Sequence, residues 1–171
     1  MRDLKLPVRY KATLPPTEEE WLEASQLRSL GGRISSAALA LEDVIVSILM
    51  GTILKEVQEH RDYVVAAMLK TSWCSIEAKR TLLLSVADRF QLLTKEQRKK
   101  LEEDLSKVIG YRNAFAHGTL VHTGEIHELR YFRGGPLSLT INDATLEKLE
   151  TQFGSAWDTL LEVEQRLERG G

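Results

Sequence analysis

The chain has little of what small proteins use for covalent or metal-based stability. Cys74 is the only cysteine among 171 residues, which excludes an intrachain disulfide and any zinc site built on cysteines. Eleven glycines and four prolines are too few for a collagen-like or linker-like chain. Neither sign of charge dominates: 23 Lys and Arg face 25 Asp and Glu, for a net charge of −2 and a pI near 6.1. A globally basic nucleic-acid binder is thereby excluded, while a local basic cleft is not. The longest apolar run, Ala37 to Gly51, is interrupted by Glu42 and Asp43 and reads as too short and too charged to span a bilayer. The opening residues, MRDLKLPVRYKATLPP, contain no apolar h-region, so no secretory signal is expected. These absences point to a cytoplasmic protein of a reducing compartment, with no membrane partner.

What is present suits a single domain. The chain is 43% hydrophobic and 28% charged, and its length is enough to bury a core without staples. Residues 1–16 read as an extended N-terminal arm, because Pro7, Pro15 and Pro16 forbid a regular helix. Residues 17–171 read as one helical domain. Thr17 and Glu20 form a capping box, followed at helical spacing by Trp21, Leu22, Ala24, Leu27 and Leu30. Gly31 and Gly32 permit either a break or passage through one long helix, at about 1 kcal/mol per glycine relative to alanine.

Residues 33–56 carry a wide apolar stripe of Ile34, Ala37, Ala38, Leu41, Val44, Ile45, Ile48 and Leu49, the pattern of a core-facing helix. Residues 57–71 allow a short helix. Ser75 starts another, with Ile76, Ala78, Leu82, Leu83, Val86 and Phe90 expected to face inward. Thr94 and Gln97 make a second capping box, and the helix behind it runs towards Phe115. The period then changes to short strands, Thr119–His122, Ile126–Phe132 and Leu137–Ile141, broken by Thr123-Gly124 and Gly134-Gly135-Pro136, a hairpin or meander. Asn142 or Thr140 caps a last helix striped by Leu146, Leu149, Phe153, Trp157, Leu160, Leu161 and Leu167. The expected class is all-α: a four- to five-helix bundle with a small β-hairpin or meander insert before the last helix.

Chemistry can concentrate at one place, Tyr111-Arg112-Asn113-Ala114-Phe115-Ala116-His117-Gly118. A permanent cation, an amide and an imidazole fall there within six residues. Gly118 is expected at C′ in the left-handed conformation that ends many helices. Asn113 and His117, four apart, share a helix face. Arg112 and His117 are about 140° apart around an ideal helix. They converge only if the helix ends at His117, if the arginine wraps round, or if a partner molecule completes the site.

The string R-N-A-F-A-H-G, preceded by an amphipathic helix and followed by a hairpin and a closing helix, resembles the HEPN superfamily (higher eukaryotes and prokaryotes nucleotide-binding). Those are small all-α domains, and many are metal-independent endoribonucleases with an R-x4–6-H motif and a polar residue after the arginine. Arg112 matches the motif arginine, Asn113 the polar position and His117 the motif histidine. The resemblance implies a homodimer with motif helices facing across a cleft, RNA as substrate, and no cofactor. It also implies a toxin–antitoxin or phage-defence setting, with a cognate antitoxin protein as a further partner. In such a dimer His117 would act as general base or acid, Arg112 would stabilise charge on the phosphate, and Asn113 would assist. The alternative is a HEPN-like binding or scaffold module without turnover, serving nucleotide or protein partners.

Other signals read more plainly. His117, His122 and His127 recur every five residues, but no Asp, Glu or Cys stands at ligand spacing, so exposed hairpin histidines are expected. Lys95–Lys107 reads as a solvated face of mixed charge. Lys79, Arg80, Arg130 and Arg133 are candidate phosphate contacts that the sequence does not rank. Glu42 and Asp43 fit a helix edge, or a polar group positioning Arg112. Trp21, Trp73 and Trp157 read as core.

Overall fold

The computed structural model of the protein describes residues 18–53, 61–69, 71, 74–123, 126–132 and 134–169. The expected arm and the Thr17 cap lie outside the described residues. Those described form a mostly helical bundle with a small antiparallel sheet before the last helix.

The first helix, α1, runs unbroken from Glu18 to Ile53, so the glycine pair sits inside one long helix. A Cβ on Gly31 would meet Phe115 Cδ1 at 3.4 Å, whereas one on Gly32 would meet nothing within 4 Å. The aromatic ring of Phe115 thus lies beside the backbone at 31, where a methyl group would meet it in ordinary van der Waals contact. Further along, Ile34, Ala38, Leu41, Ile45, Ile48 and Leu49 are buried. Each large aliphatic among them contributes about 1.5–3 kcal/mol by leaving water. Ser29–Ile53 is long and apolar enough to cross a membrane by length and composition, contrary to the expectation drawn from the shorter run. Here its stripe is the centre of the bundle, packed on the three long helices that follow.

A short helix, α2 (Arg61–Val64), continues as a π-helical turn over Val65–Leu69. Helix α3 (Ile76–Phe90) starts where Ser75 accepts a hydrogen bond from the Ala78 N–H, as its sequence predicts. Its inward face differs from the expected one. Leu83, Leu84, Val86 and Ala87 are buried, together with Lys79, while Ala78, Leu82 and Phe90 are exposed. The buried set falls at 79, 83, 84, 86 and 87, and a lysine inside it disguised the register.

Helix α4 (Lys95–His117) opens on the Thr94–Gln97 capping box, with both reciprocal hydrogen bonds formed. Its charged face pairs within itself and to its neighbour: Arg98 with Asp88 and Glu102, and Lys100 with Asp104. Three strands follow, β1 (Thr119–Thr123), β2 (Ile126–Phe132) and β3 (Pro136–Ile141), in the order β1-β2-β3. Arg130 lies between Thr119 and Ser138, and Phe132 lies opposite Pro136. Leu129 and Ile141 are buried, so strand alternation puts Arg130 and Phe132 on the outer face. The last helix, α5 (Asp143–Arg169), is capped by the Asn142 side chain, which accepts from the Thr145 N–H at 2.9 Å. It buries Leu149, Ala156, Leu160 and Val163, with Phe153, Trp157 and Leu167 packed beside them.

Two glycines give opposite expectations. Gly32→Ala fills open space in an exposed helix interior and should stabilise the fold by about 0.5–1 kcal/mol. Gly118→Ala would drive its Cβ into the Ala114 carbonyl and should cost about 1–3 kcal/mol. Urea unfolding midpoints of the two variants check both signs.

Candidate active site

The last turns of α4 hold the three motif residues. Ile109 and Ala114 are buried, at 2% and 0% exposure, and fix which way the helix faces. Between and beyond them Tyr111, Arg112, Asn113 and Phe115 are half-buried, while Ala116 and His117 are exposed. Gly118 ends the helix by donating its N–H to the Ala114 carbonyl at 2.7 Å. It does so in extended backbone, φ −77° and ψ 154°, not in the left-handed conformation expected from its sequence. The chain passes straight from α4 into β1. Glycine is required there because the Ala114 carbonyl lies against its Cα, leaving no space for a side chain.

Arg112 and Asn113 come together. Arg112 Nη1 donates to Asn113 Oδ1 at 3.0 Å, and both residues line a cleft of about 890 Å³ between α1, the start of α3 and α4. Glu42, Asp43, Glu77 and Lys79 line the same cleft. Lys79, 3% exposed, ion-pairs with Glu42. Glu77 pairs with Arg80 at 2.8 Å, leaving its Oε2 without a partner. Among the described residues, Arg112 and Asp43 are then the cleft charges with no ion-pair partner. Glu42 thus shares the cleft with Arg112, as one sequence reading had it, but takes Lys79 as its ion partner.

His117 opens elsewhere. It lines a second recess, of about 560 Å³, with Thr119, Arg130, Phe132, Pro136 and Ser138 among its neighbours. Within one chain the structure therefore joins Arg112 to Asn113 and does not bring His117 to either. The helix continues regularly to His117, which keeps Arg112 about 140° from it, while Asn113, four residues before His117, stays on its face of the helix but turns to Arg112. His122 and His127 are cross-strand partners in β1 and β2. No group of three or more His, Cys, Asp or Glu among the described residues could hold a metal ion.

Several site residues carried only weak signals in the sequence. Lys79 and Arg130 stood among four unranked basic residues. The spacing of Lys79 to Leu83 and Val86 is the mark of a lysine within a buried stripe. Cys74 and Ser75, which line the Arg112 cleft, gave no functional signal. Of the remaining candidates, Arg80 is engaged by Glu77, and Arg133 lies outside the described residues.

No family model, curated protein or solved structure compared with the chain matches it.

Burial raises the Tyr111 phenol above its ordinary value, and neighbouring Tyr131 acts in the same direction. The ionised phenolate is disfavoured in the fold, so this contribution is intact below the ordinary phenol range, about pH 10, and is lost as pH rises through it. Tyr111→Phe should flatten the alkaline fall in melting temperature above about pH 10. The Glu42–Lys79 pair gives a second prediction. Lys79→Met leaves a partly buried carboxylate uncompensated and should cost about 1–3 kcal/mol. Adding Glu42→Gln should recover part of that loss in a double-mutant cycle; strictly additive losses would mean the pair contributes nothing.

Proposed function

We propose that the chain is a HEPN-like, metal-independent endoribonuclease that cleaves single-stranded RNA as a homodimer in the cytoplasm. The observation that carries this reading is the layout of the α4 end. A guanidinium and amide open into one recess, and an exposed imidazole at the same helix terminus opens into another. One chain is thus half a site on each side. A two-fold partner laying its α4 terminus alongside would set Arg112 of one chain near His117 of the other, and the symmetry would make both composite sites alike.

Cleavage then needs only groups the pair supplies. One His117 imidazole takes the proton of the ribose 2′-hydroxyl, and the oxygen attacks phosphorus. The bond from phosphorus to the 5′-oxygen breaks. That imidazole, now protonated, donates the proton to the leaving oxygen. The products are a 2′,3′-cyclic phosphate and a free 5′-hydroxyl. Arg112 donates to the phosphoryl oxygens as negative charge accumulates there, and Asn113 holds the guanidinium through its Oδ1. DNA lacks the attacking hydroxyl and is not a substrate. A toxin or phage-defence role, with an antitoxin protein as partner, follows from the resemblance of the motif.

A second reading has one observation in its favour. Three carboxylates, Glu42, Asp43 and Glu77, line the Arg112 cleft and oppose an incoming phosphate. That suits a non-catalytic module, one whose partner is a protein and not a phosphate-bearing nucleotide. The two are separated by incubating RNA with the protein in EDTA. Wild type should cleave, and Arg112→Ala and His117→Ala should each fall by about 10²-fold or more. Mixing the two inactive variants should restore activity as chains exchange, because the mixed dimer keeps one intact composite site. Equal cleavage by all samples, or bound but intact RNA, would reject the nuclease.

A further inference from the structure

We infer that the outer face of the sheet beside His117 is a stacking site for one unpaired RNA base next to the scissile phosphate. The occupant's identity rests on the ribonuclease reading above. Phe132 is 78% exposed, on the middle strand of a three-stranded sheet. Its register partner is Pro136, so ring and pyrrolidine form one apolar step. Two residues earlier on the same face stands Arg130, flanked in register by Thr119 and Ser138. These residues and His117 share one recess, and no carboxylate lines it.

The three needs of a nucleotide are met within this small area. A base needs a flat apolar surface, which Phe132 offers. A phosphate needs a cation with free donors. Arg130 gives Nε and Nη2 to Glu128 Oε2, both at 3.2 Å, and Nη1 remains to donate. Base edges and the 2′-hydroxyl need small polar partners, and Thr119 and Ser138 carry hydroxyls. The apolar area is too small to hold a protein partner, because a stable interface buries about 800 Å² per side. Here the large exposed apolar side chains are Phe132 and Leu137, and polar groups surround them. The recess is also uncluttered by the acidic rim that borders Arg112, so the strand can enter on the His117 side.

The test uses the full chain carrying His117→Ala, so that RNA stays intact, and a short fluorescein-labelled single-stranded RNA containing one 2-aminopurine. Adding Phe132→Ala should weaken binding about tenfold and abolish the quenching of 2-aminopurine that stacking produces. Phe132→Trp should restore both, and Arg130→Ala should weaken binding while leaving the quenching of bound RNA. Unchanged affinity and quenching in Phe132→Ala would overturn the proposal. So would loss of binding accompanied by a change from dimer to monomer in sedimentation, which would assign Phe132 to a contact between copies. Cleavage by the chain with native His117 is measured beside these. RNA that binds through Phe132 but is never cut removes the nuclease reading alone. RNA that is cut equally by wild type and Phe132→Ala, with unchanged binding, removes the stacking site alone.

Discussion

The packing of Phe115 beside Gly31 on α1 and the full burial of Ala114 orient the α4 terminus. A helix in a bundle can rotate about its axis until something locks it. Here a half-buried ring lies against α1 where no Cβ stands, and Ala114 beside it is wholly buried. Those neighbours fix the azimuth of the last two turns. Arg112 and Asn113 must then point towards the cleft shared with α1 and α3, and His117 must emerge on the sheet side. Gly118 completes the lock by bringing extended chain over the Ala114 carbonyl, which ties the start of β1 to the end of the helix.

The second constraint is electrostatic. Burying Lys79 beneath the cleft is costly unless its charge is matched, and Glu42 on the opposing helix matches it. The pair ties α1 to α3 and takes one carboxylate out of contention. Glu77 is engaged in the same way by Arg80. The cleft therefore presents less negative charge than its lining suggests, and among the described residues its unpaired cation is Arg112. An anion approaching Arg112 meets Asp43 at the exposed edge of α1, where water and salt screen it.

Much of this fold was legible in the sequence, because local signals there agree with tertiary packing. Ser75, Thr94 and Asn142 announce helix starts through hydrogen bonds with residues three positions away, and all three form. The strands were legible from period-two alternation and their turns. What failed was long-range. The inward face of α3 was misassigned because a buried lysine is recognisable only once its partner, 37 residues earlier, is known. Gly118 was misread because its requirement is space rather than a positive φ, and a close carbonyl leaves no trace in composition. The motif itself was legible as three residue types. Their division between two recesses was not, since it depends on how α4 is rotated against α1 and the sheet.

That division bears on how RNA would traverse the molecule. If Arg112 and His117 of one chain shared a pocket, a single protomer could hold a phosphate and a proton-transfer group together, and association would add only stability. With the groups about 140° apart around α4, a single scissile phosphate cannot use both from the same chain without the arginine wrapping around the helix. Each chain then has two duties at its α4 end: to offer charge on the cleft side and an imidazole on the sheet side. An outward aromatic and arginine on the sheet side follow naturally from that arrangement. On the proposed ribonuclease reading the strand would be gripped where proton transfer occurs, because the neighbouring cleft is lined by Glu42, Asp43 and Glu77. On that reading, catalytic charge and substrate grip would sit on the two sides of one helix terminus.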